Sequence, residues 1–138
     1  MYQTRKTRNK YISYPKPQAC PFCDPAEIEQ YKVEETKHAY IIKNRTFYDM
    51  WEMQKVLDHL LIVPKRHVGS LSELTDPEKA EIVTLIGQYE STDYNVYARA
   101  VVSKGRSVAH QHTHLIKTDH KMSWLLFHIR KPYWLIRL

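Results

Sequence analysis

Apolar positions along the chain fall into short, separated groups rather than long uniform runs. Ala39-Tyr40-Ile41-Ile42-Lys43 is apolar and rich in β-branched residues, and predicts a strand. Leu60-Leu61-Ile62-Val63-Pro64 has no polar alternation. It predicts a second strand, buried on both faces and stopped by its proline. Thr75-Asp76-Pro77-Glu78 opens a helix: Thr75 caps, Glu78 closes a capping box and Pro77 lies in the first turn. Ile82, Val83, Ile86 and Tyr89 then recur at helical spacing, giving one amphipathic helix over 76–91. Val96, Ala98, Ala100 and Val102 alternate along 95–102, a third strand. A turn at Lys104-Gly105 leads into a fourth strand over 107–117. Strands and helix mix without a βαβ rhythm and no internal repeat is visible. The expected class is α+β, an antiparallel sheet with one main helix.

Composition narrows the class further. The 138 residues suit one domain, and 43% hydrophobic with 26% charged residues exclude a disordered chain, a collagen and a disulfide-stapled mini-protein. No apolar run reaches the roughly 18 residues of a spanning helix. Met1-Tyr2-Gln3-Thr4-Arg5-Lys6 lacks the apolar stretch of a signal peptide, so a soluble cytoplasmic protein is expected. The net charge of +6 is unevenly placed. Residues 1–23 hold five basic groups and no acid, 115–138 hold five basics and Asp119, and the middle carries 11 basic against 14 acidic groups. The chain therefore divides into a basic N-terminal arm (1–19), a domain (20–122) and an apolar, aromatic extension (123–138). The arm either solvates the protein or attracts a polyanion such as nucleic acid. The extension suits two short strands broken at Pro132, or a helix followed by a strand. It packs on the body or on a second subunit, or lies on a membrane surface.

Candidate chemistry concentrates in His110-Gln111-His112-Thr113-His114-Leu115-Ile116. In a strand, residues at spacing two share a face, so the three imidazoles project together. From the residues alone this is a half-exposed polar face, an adventitious metal site or a reactive centre. A neutral imidazole is nucleophilic near pH 7, and neighbouring imidazoles can orient it and hold its tautomer.

This segment resembles the signature of the histidine triad (HIT) family. Three further stretches match that family in order and approximate spacing. Cys20-Pro21-Phe22-Cys23 is similar to the CxFC of its zinc-bearing bacterial members. His59-Leu60-Leu61-Ile62-Val63-Pro64-Lys65-Arg66-His67 is similar to its H-x-L-V-I-P-K-x-H strand. Gly105-Arg106-Ser107-Val108-Ala109 is similar to the run entering the triad. Together they cover roughly residues 20–117.

The resemblance implies a HIT-like fold and a nucleotide substrate, cleaved at its α-phosphorus in two steps. His112 is the implied nucleophile, forming a transient nucleotidyl-histidine. His114 contacts the phosphate, Ser107 donates to it, and His59 supports the triad from behind. Asn44 stands where a ribose-binding Asp is usual. Arg106 replaces a Gln near the scissile bridge, where a cation favours a more negative leaving group. Arg99 likewise replaces an Asn, and Gln111 and Thr113 replace apolar residues, which implies a wetter opposite face. His110 is assigned both to the substrate site and, with Cys20, Cys23 and His67, to a closed structural zinc site. No catalytic metal is required by this chemistry. A homodimer is also implied.

The leading reading is thus a hydrolase of nucleoside phosphoramidates or dinucleoside polyphosphates. The stretch Asn44–Gln54, with Phe47, Tyr48 and Trp51, also resembles the nucleotidyltransferase branch that includes the galactose-1-phosphate uridylyltransferases. Those aromatics cover a base or second substrate, or serve as core and dimer contacts. A third reading is a nucleotide- or nucleic-acid-binding module working through the basic tails.

Overall fold

The computed structural model describes residues 20–122. The basic arm and the apolar extension read from the sequence lie outside those residues. Within them the chain runs α1 (Pro25–Tyr31), β1 (Lys32–Glu35), β2 (Ala39–Lys43), β3 (Met50–Trp51), β4 (Gln54–Pro64), a 3-10 turn (Leu71–Glu73), α2 (Asp76–Glu90), β5 (Asn95–Ala98) and β6 (Thr113–Met122). All strand pairs are antiparallel, in the order β1-β2-β4-β6-β5, and β3 pairs with β4. The α+β antiparallel architecture is the expected one.

Period-two alternation sorts the sheet into two faces. On one, Ala39, Ile41, Leu60, Ile62 and Leu115 pack under α2 against Val68, Leu74, Ile82 and Leu85. On the other, Ile42, Leu61 and Val63 pack against Ile28 of α1, with Phe22, Tyr31 and Tyr40 around them. This is why β4 reads as an unbroken apolar run: both of its faces are covered. Each fully buried aliphatic contributes about 1.5–3 kcal/mol.

Both helices begin as their sequences dictate. The Asp24 carboxylate accepts from Ala26 N at 2.9 Å, and Pro25 needs no hydrogen bond in the first turn. In α2 the Glu78 carboxylate accepts from Thr75 N at 2.7 Å and from the Thr75 hydroxyl at 3.0 Å. Arg66 reaches across from the end of β4 to the same carboxylate at 2.7 Å. Val83, expected on the apolar face, is 66% exposed, and Leu85 takes its place in the core.

Two strand boundaries differ from the sequence reading. The third strand ends at Ala98 rather than 102, and Val101 and Val102 are exposed. The fourth begins at Thr113, not Ser107, and continues to Met122. The ladder closes at Thr113 because both neighbours run out: Ile62 and Ala98 are its last partners on either side. Beyond Ile62, Pro64 has no N–H to offer, its carbonyl accepts from His110 Nε2 at 2.9 Å, and Gln111 N donates instead to Val68 O at 2.7 Å. His110 and His112 therefore sit on an irregular segment leading into the strand that carries His114.

Candidate functional site

The three histidines of the motif do not act as one row. His110 turns toward the N-terminal cysteines, whereas His112 and His114 remain together, ring centroids 5.0 Å apart. All three are buried, as is His59. His112 keeps 8% of its surface, the most of the four, so it is the imidazole that a ligand can reach.

Cys20 and Cys23 are brought together by a turn in which Cys23 N donates to Cys20 O at 3.0 Å. His67 follows the end of β4, and His110 approaches from the segment before β6. The Cys23 sulfur lies 3.1 Å from His67 Nδ1 and 3.5 Å from His110 Nδ1, and the Cys20 sulfur is also 3.5 Å from His110 Nδ1. All four ligand atoms lie within 4.8 Å of one another, close enough to hold one metal ion. Tetrahedral zinc with ordinary bond lengths sets sulfur and nitrogen about 3.6 Å apart, close to what is found. The tautomer fits as well. Because Pro64 O can only accept, His110 carries its proton on Nε2 and turns a lone pair on Nδ1 toward the thiols. Burial and the adjacent Cys20 push the Cys23 thiol upward in pKa, a penalty that a bound cation would reverse.

Around His112 and His114 the backbone fixes every ring proton. His112 Nδ1 donates to His110 O at 2.9 Å, which leaves the Nε2 lone pair free. Tyr48 N donates to His59 Nδ1 at 3.1 Å, so the neutral His59 ring is protonated on Nε2. His59 Nε2 then donates to His114 Nδ1 at 2.9 Å, which places the His114 proton on its own Nε2. That atom is buried and has no hydrogen-bond partner among the described residues. Buried donors are normally paired, so an unpaired one beside an open lone pair makes this pair the candidate contact point for a ligand oxygen.

Electrostatics keep these rings neutral. Burial lowers His59 to about 3 and His114 to about 2. The neighbouring imidazoles and Arg99 add to the depression at His114. His112 is lowered chiefly by burial, partly offset by its bond to the His110 carbonyl, with Arg106 and Arg99 acting in the same direction as burial. At neutral pH the site offers a lone pair and an N–H donor among positive charges, a combination suited to a phosphoryl group.

The remaining sequence candidates are placed as follows. Asn44 lies beside His59, its Nδ2 3.1 Å from Nε2 and 3.4 Å from Nδ1, while its Oδ1 accepts from Thr46 N at 3.1 Å. Arg106 folds back onto the backbone, donating to Gly69 O at 2.7 Å, Val108 O at 3.1 Å and Ala109 O at 2.5 Å. Its guanidinium clamps the loop before the motif. Ser107 is exposed and makes no hydrogen bond among the described residues. Gln111 and Thr113, expected on a wetter face, are both buried: Thr113 opens β6 opposite Ile62, and Gln111 Nε2 donates to His112 O at 3.3 Å.

An aromatic group that the motif does not announce flanks His114. Tyr48 lies along His114 with centroids 5.5 Å apart and rings 27° from parallel, and it also packs on His59 at 4.4 Å. Tyr97, opposite His114 in the β5–β6 register, lies 5.8 Å from it. Trp51 stacks on Tyr48 and touches Tyr97 at 5.1 Å. On the other side Phe22 packs edge-on against His110 and His112. Trp51 and Tyr48 stand out in the sequence as aromatics; Tyr97 needed the strand pairing to be found.

A family model described as HIT domain matches residues 26–121. Solved structures of similar fold include a HIT family hydrolase from Legionella pneumophila Philadelphia 1, 21% identical, covering 77% of this chain and 97% of that one with a TM-score of 0.54. A histidine triad protein from Clostridium difficile is 24% identical over 79% of this chain and 97% of its own, TM-score 0.55. A histidine triad nucleotide-binding protein from Candida albicans is 21% identical over 81% and 87%, TM-score 0.55.

Proposed function

The chain belongs to the HIT family, and from that premise we propose that it is a nucleotide hydrolase cleaving at the α-phosphorus through a nucleotidyl-histidine on His112. The observation that carries the reading is the pairing, among the described residues, of a free His112 Nε2 lone pair with an unpartnered His114 Nε2–H. In the first step the lone pair bonds to phosphorus as the bond to the leaving nitrogen or bridging oxygen breaks, its electron pair departing with that atom. His114 donates a hydrogen bond to the phosphoryl oxygens, where charge accumulates. His59 holds the His114 tautomer, and Tyr48 N holds that of His59. Water then attacks phosphorus and the P–N bond breaks, returning its pair to His112. Across both steps one water is consumed: its hydroxyl ends on phosphorus and its proton on the leaving group. Ser107, which is exposed, and Asn44 supply further contacts to the substrate.

Substrates proposed are nucleoside phosphoramidates and dinucleoside polyphosphates. Release of AMP from adenosine 5′-phosphoramidate and from diadenosine tetraphosphate, compared with His112→Ala, tests the reading. The variant should lose at least about a thousand-fold in kcat/KM while keeping its circular dichroism. Full activity in that variant refutes the nucleophile.

Zinc is the proposed occupant of Cys20, Cys23, His67 and His110. When bound it would cross-link the N-terminal turn to the strand ends, and no chemical step passes through it.

A second reading is a nucleotidyltransferase, favoured by the Tyr48, Trp51 and Tyr97 group beside His114. It keeps both steps and replaces water by an acceptor. Addition of a sugar phosphate or pyrophosphate should then divert the product from AMP to a new nucleotide; unchanged product disposes of it.

A further inference from the structure

Between Ala109 and His112 the chain is held by residues 68–69, which belong to no strand. Gln111 N donates to Val68 O at 2.7 Å. A trans peptide is planar, with its N–H and C=O pointing in opposite directions, so that bond also aims His110 O away from Val68. On the far side His110 O accepts the Nδ1 proton of His112 at 2.9 Å. The direction of one peptide unit therefore decides which nitrogen of His112 keeps a lone pair.

Arg106 brackets the Gln111–Val68 bond. Its Nη2 donates to Gly69 O at 2.7 Å and to Ala109 O at 2.5 Å, next to Val68 on one segment and to His110 on the other. Its Nε donates to Val108 O at 3.1 Å, and Gln111 Oε1 lies 3.4 Å from Nη2. The sheet offers nothing at this point, since the β6 ladder has its last partners at Ile62 and Ala98. A planar, permanently charged fork thus ties together two segments that no ladder joins.

We infer that Arg106 is a positioning residue for the nucleophile. By clamping 68–69 to 108–111 it fixes the His110–Gln111 peptide, and through it the proton of His112, without touching the substrate. The inference rests on His112 as the attacking imidazole. It replaces the role expected from the sequence, a cation beside the leaving group, because the guanidinium is occupied by three carbonyls of its own chain. The His110 ring is anchored separately, through Nε2 to Pro64 O, so the clamp acts on the backbone and not on the cysteine cluster.

The test uses the full chain with 15N-labelled histidine at pH 7.5, without substrate, and compares wild type with Arg106→Gln and Arg106→Lys. Nitrogen shifts should show one His112 tautomer in wild type, protonated on Nδ1, and a mixture of both in Arg106→Gln. Rates on diadenosine tetraphosphate and adenosine 5′-phosphoramidate give the second reading. Arg106→Gln should lower kcat at least about ten-fold on both alike, the size expected from lost hydrogen bonds to a charged donor, with KM changed less than about two-fold. Arg106→Lys keeps the charge on a single nitrogen, so it should recover only part of kcat and of the single tautomer. Full recovery would mean that charge alone matters, and overturns the clamp. An unmixed His112 tautomer in Arg106→Gln overturns it too, as does a loss confined to KM or to one substrate, the mark of a direct contact. If wild type cleaves neither substrate, the His112 reading fails, and the nitrogen shifts alone decide Arg106. Urea midpoints show whether each variant is folded; if Arg106→Gln is not, Arg106→Lys is judged by the same two readings.

Discussion

Replacing His59 by Gln should make the fold less sensitive to acid, and the size of that change follows from burial. His59 in the folded protein titrates at about 3, against an ordinary value of 6.5. Between those values the unfolded chain binds a proton that the folded chain refuses, so stability rises with pH across that window and is lost as pH falls. At pH 5 the unfolded side chain sits 1.5 units below its pKa, worth about 2 kcal/mol for one group at about 1.4 kcal/mol per unit. His114, lowered to about 2, adds a similar amount. Glu78 does not enter this range: its carboxylate, held at about 2 mainly by Arg66, loses its contribution only below about 4.5. A Gln at position 59 can still accept from Tyr48 N and donate toward His114, but it does not titrate. Urea denaturation of wild type and His59→Gln at pH 7.5 and 5.0 therefore gives a double difference. Contributions from the Cys and His cluster appear in both proteins and cancel. The stability lost between the two pH values should be smaller in the variant by about 2 kcal/mol. Parallel losses would refute the reasoning, because they would mean that His59 accepts a proton in the folded state.

Other outcomes follow from the same contacts. Purified protein should carry one zinc per chain by plasma mass spectrometry, and a chelator should lower Tm; Cys23→Ser should lose most of the metal, and no change in either reading removes the structural role. Ile41→Ala, at a fully buried site in the sheet, should cost about 2–5 kcal/mol in urea denaturation, with a loss below 1 kcal/mol arguing against the assigned core. Thr75→Ala should cost about 0.5–2 kcal/mol, since the capping residue of α2 then offers only its backbone.

What the sequence made legible were elements whose signals are local and apolar. β2 and the buried half of β4 read as strands because both faces are covered, and α2 announces itself through Thr75, Pro77 and Glu78. α1 and β1 were missed for the opposite reason. The helix Pro25–Tyr31 buries only Ile28, and the strand Lys32–Glu35 is a polar, mostly exposed edge that pairs through its backbone. β3 is two residues long, joined to β4 through Glu52 and Met53 at φ of 47° and 63°, a turn that usually declares itself with Asn or Gly. At the site, histidine spacing pointed to the clustered imidazoles but not to their division, since it assumed a strand reaching back to residue 107. Tyr97 stayed hidden because its place beside His114 depends on which strand flanks β6. Arg99 and Arg106 looked alike as added cations. Only the folded loop separates them, one clamping carbonyls and the other lying against Tyr48 and Tyr97.

That division explains why the two centres lie so close. His110 has two polar ends that serve different neighbours. Its ring joins Cys20, Cys23 and His67, with the proton held on the far nitrogen by Pro64 O. Its carbonyl accepts the Nδ1 proton of His112 and so exposes the Nε2 lone pair. Phe22, inside the cysteine turn, packs on both rings. A metal ion gripping His110 would therefore fix the backbone atom that sets the tautomer of His112, although it touches no substrate. On the opposite flank the proton order of His114 is set by Tyr48 N through His59, with no metal in the chain of bonds. His112 and His114 are thus oriented from opposite sides by independent supports. Loosening the cysteine turn should disturb the lone pair at His112 and leave the donor at His114 in place.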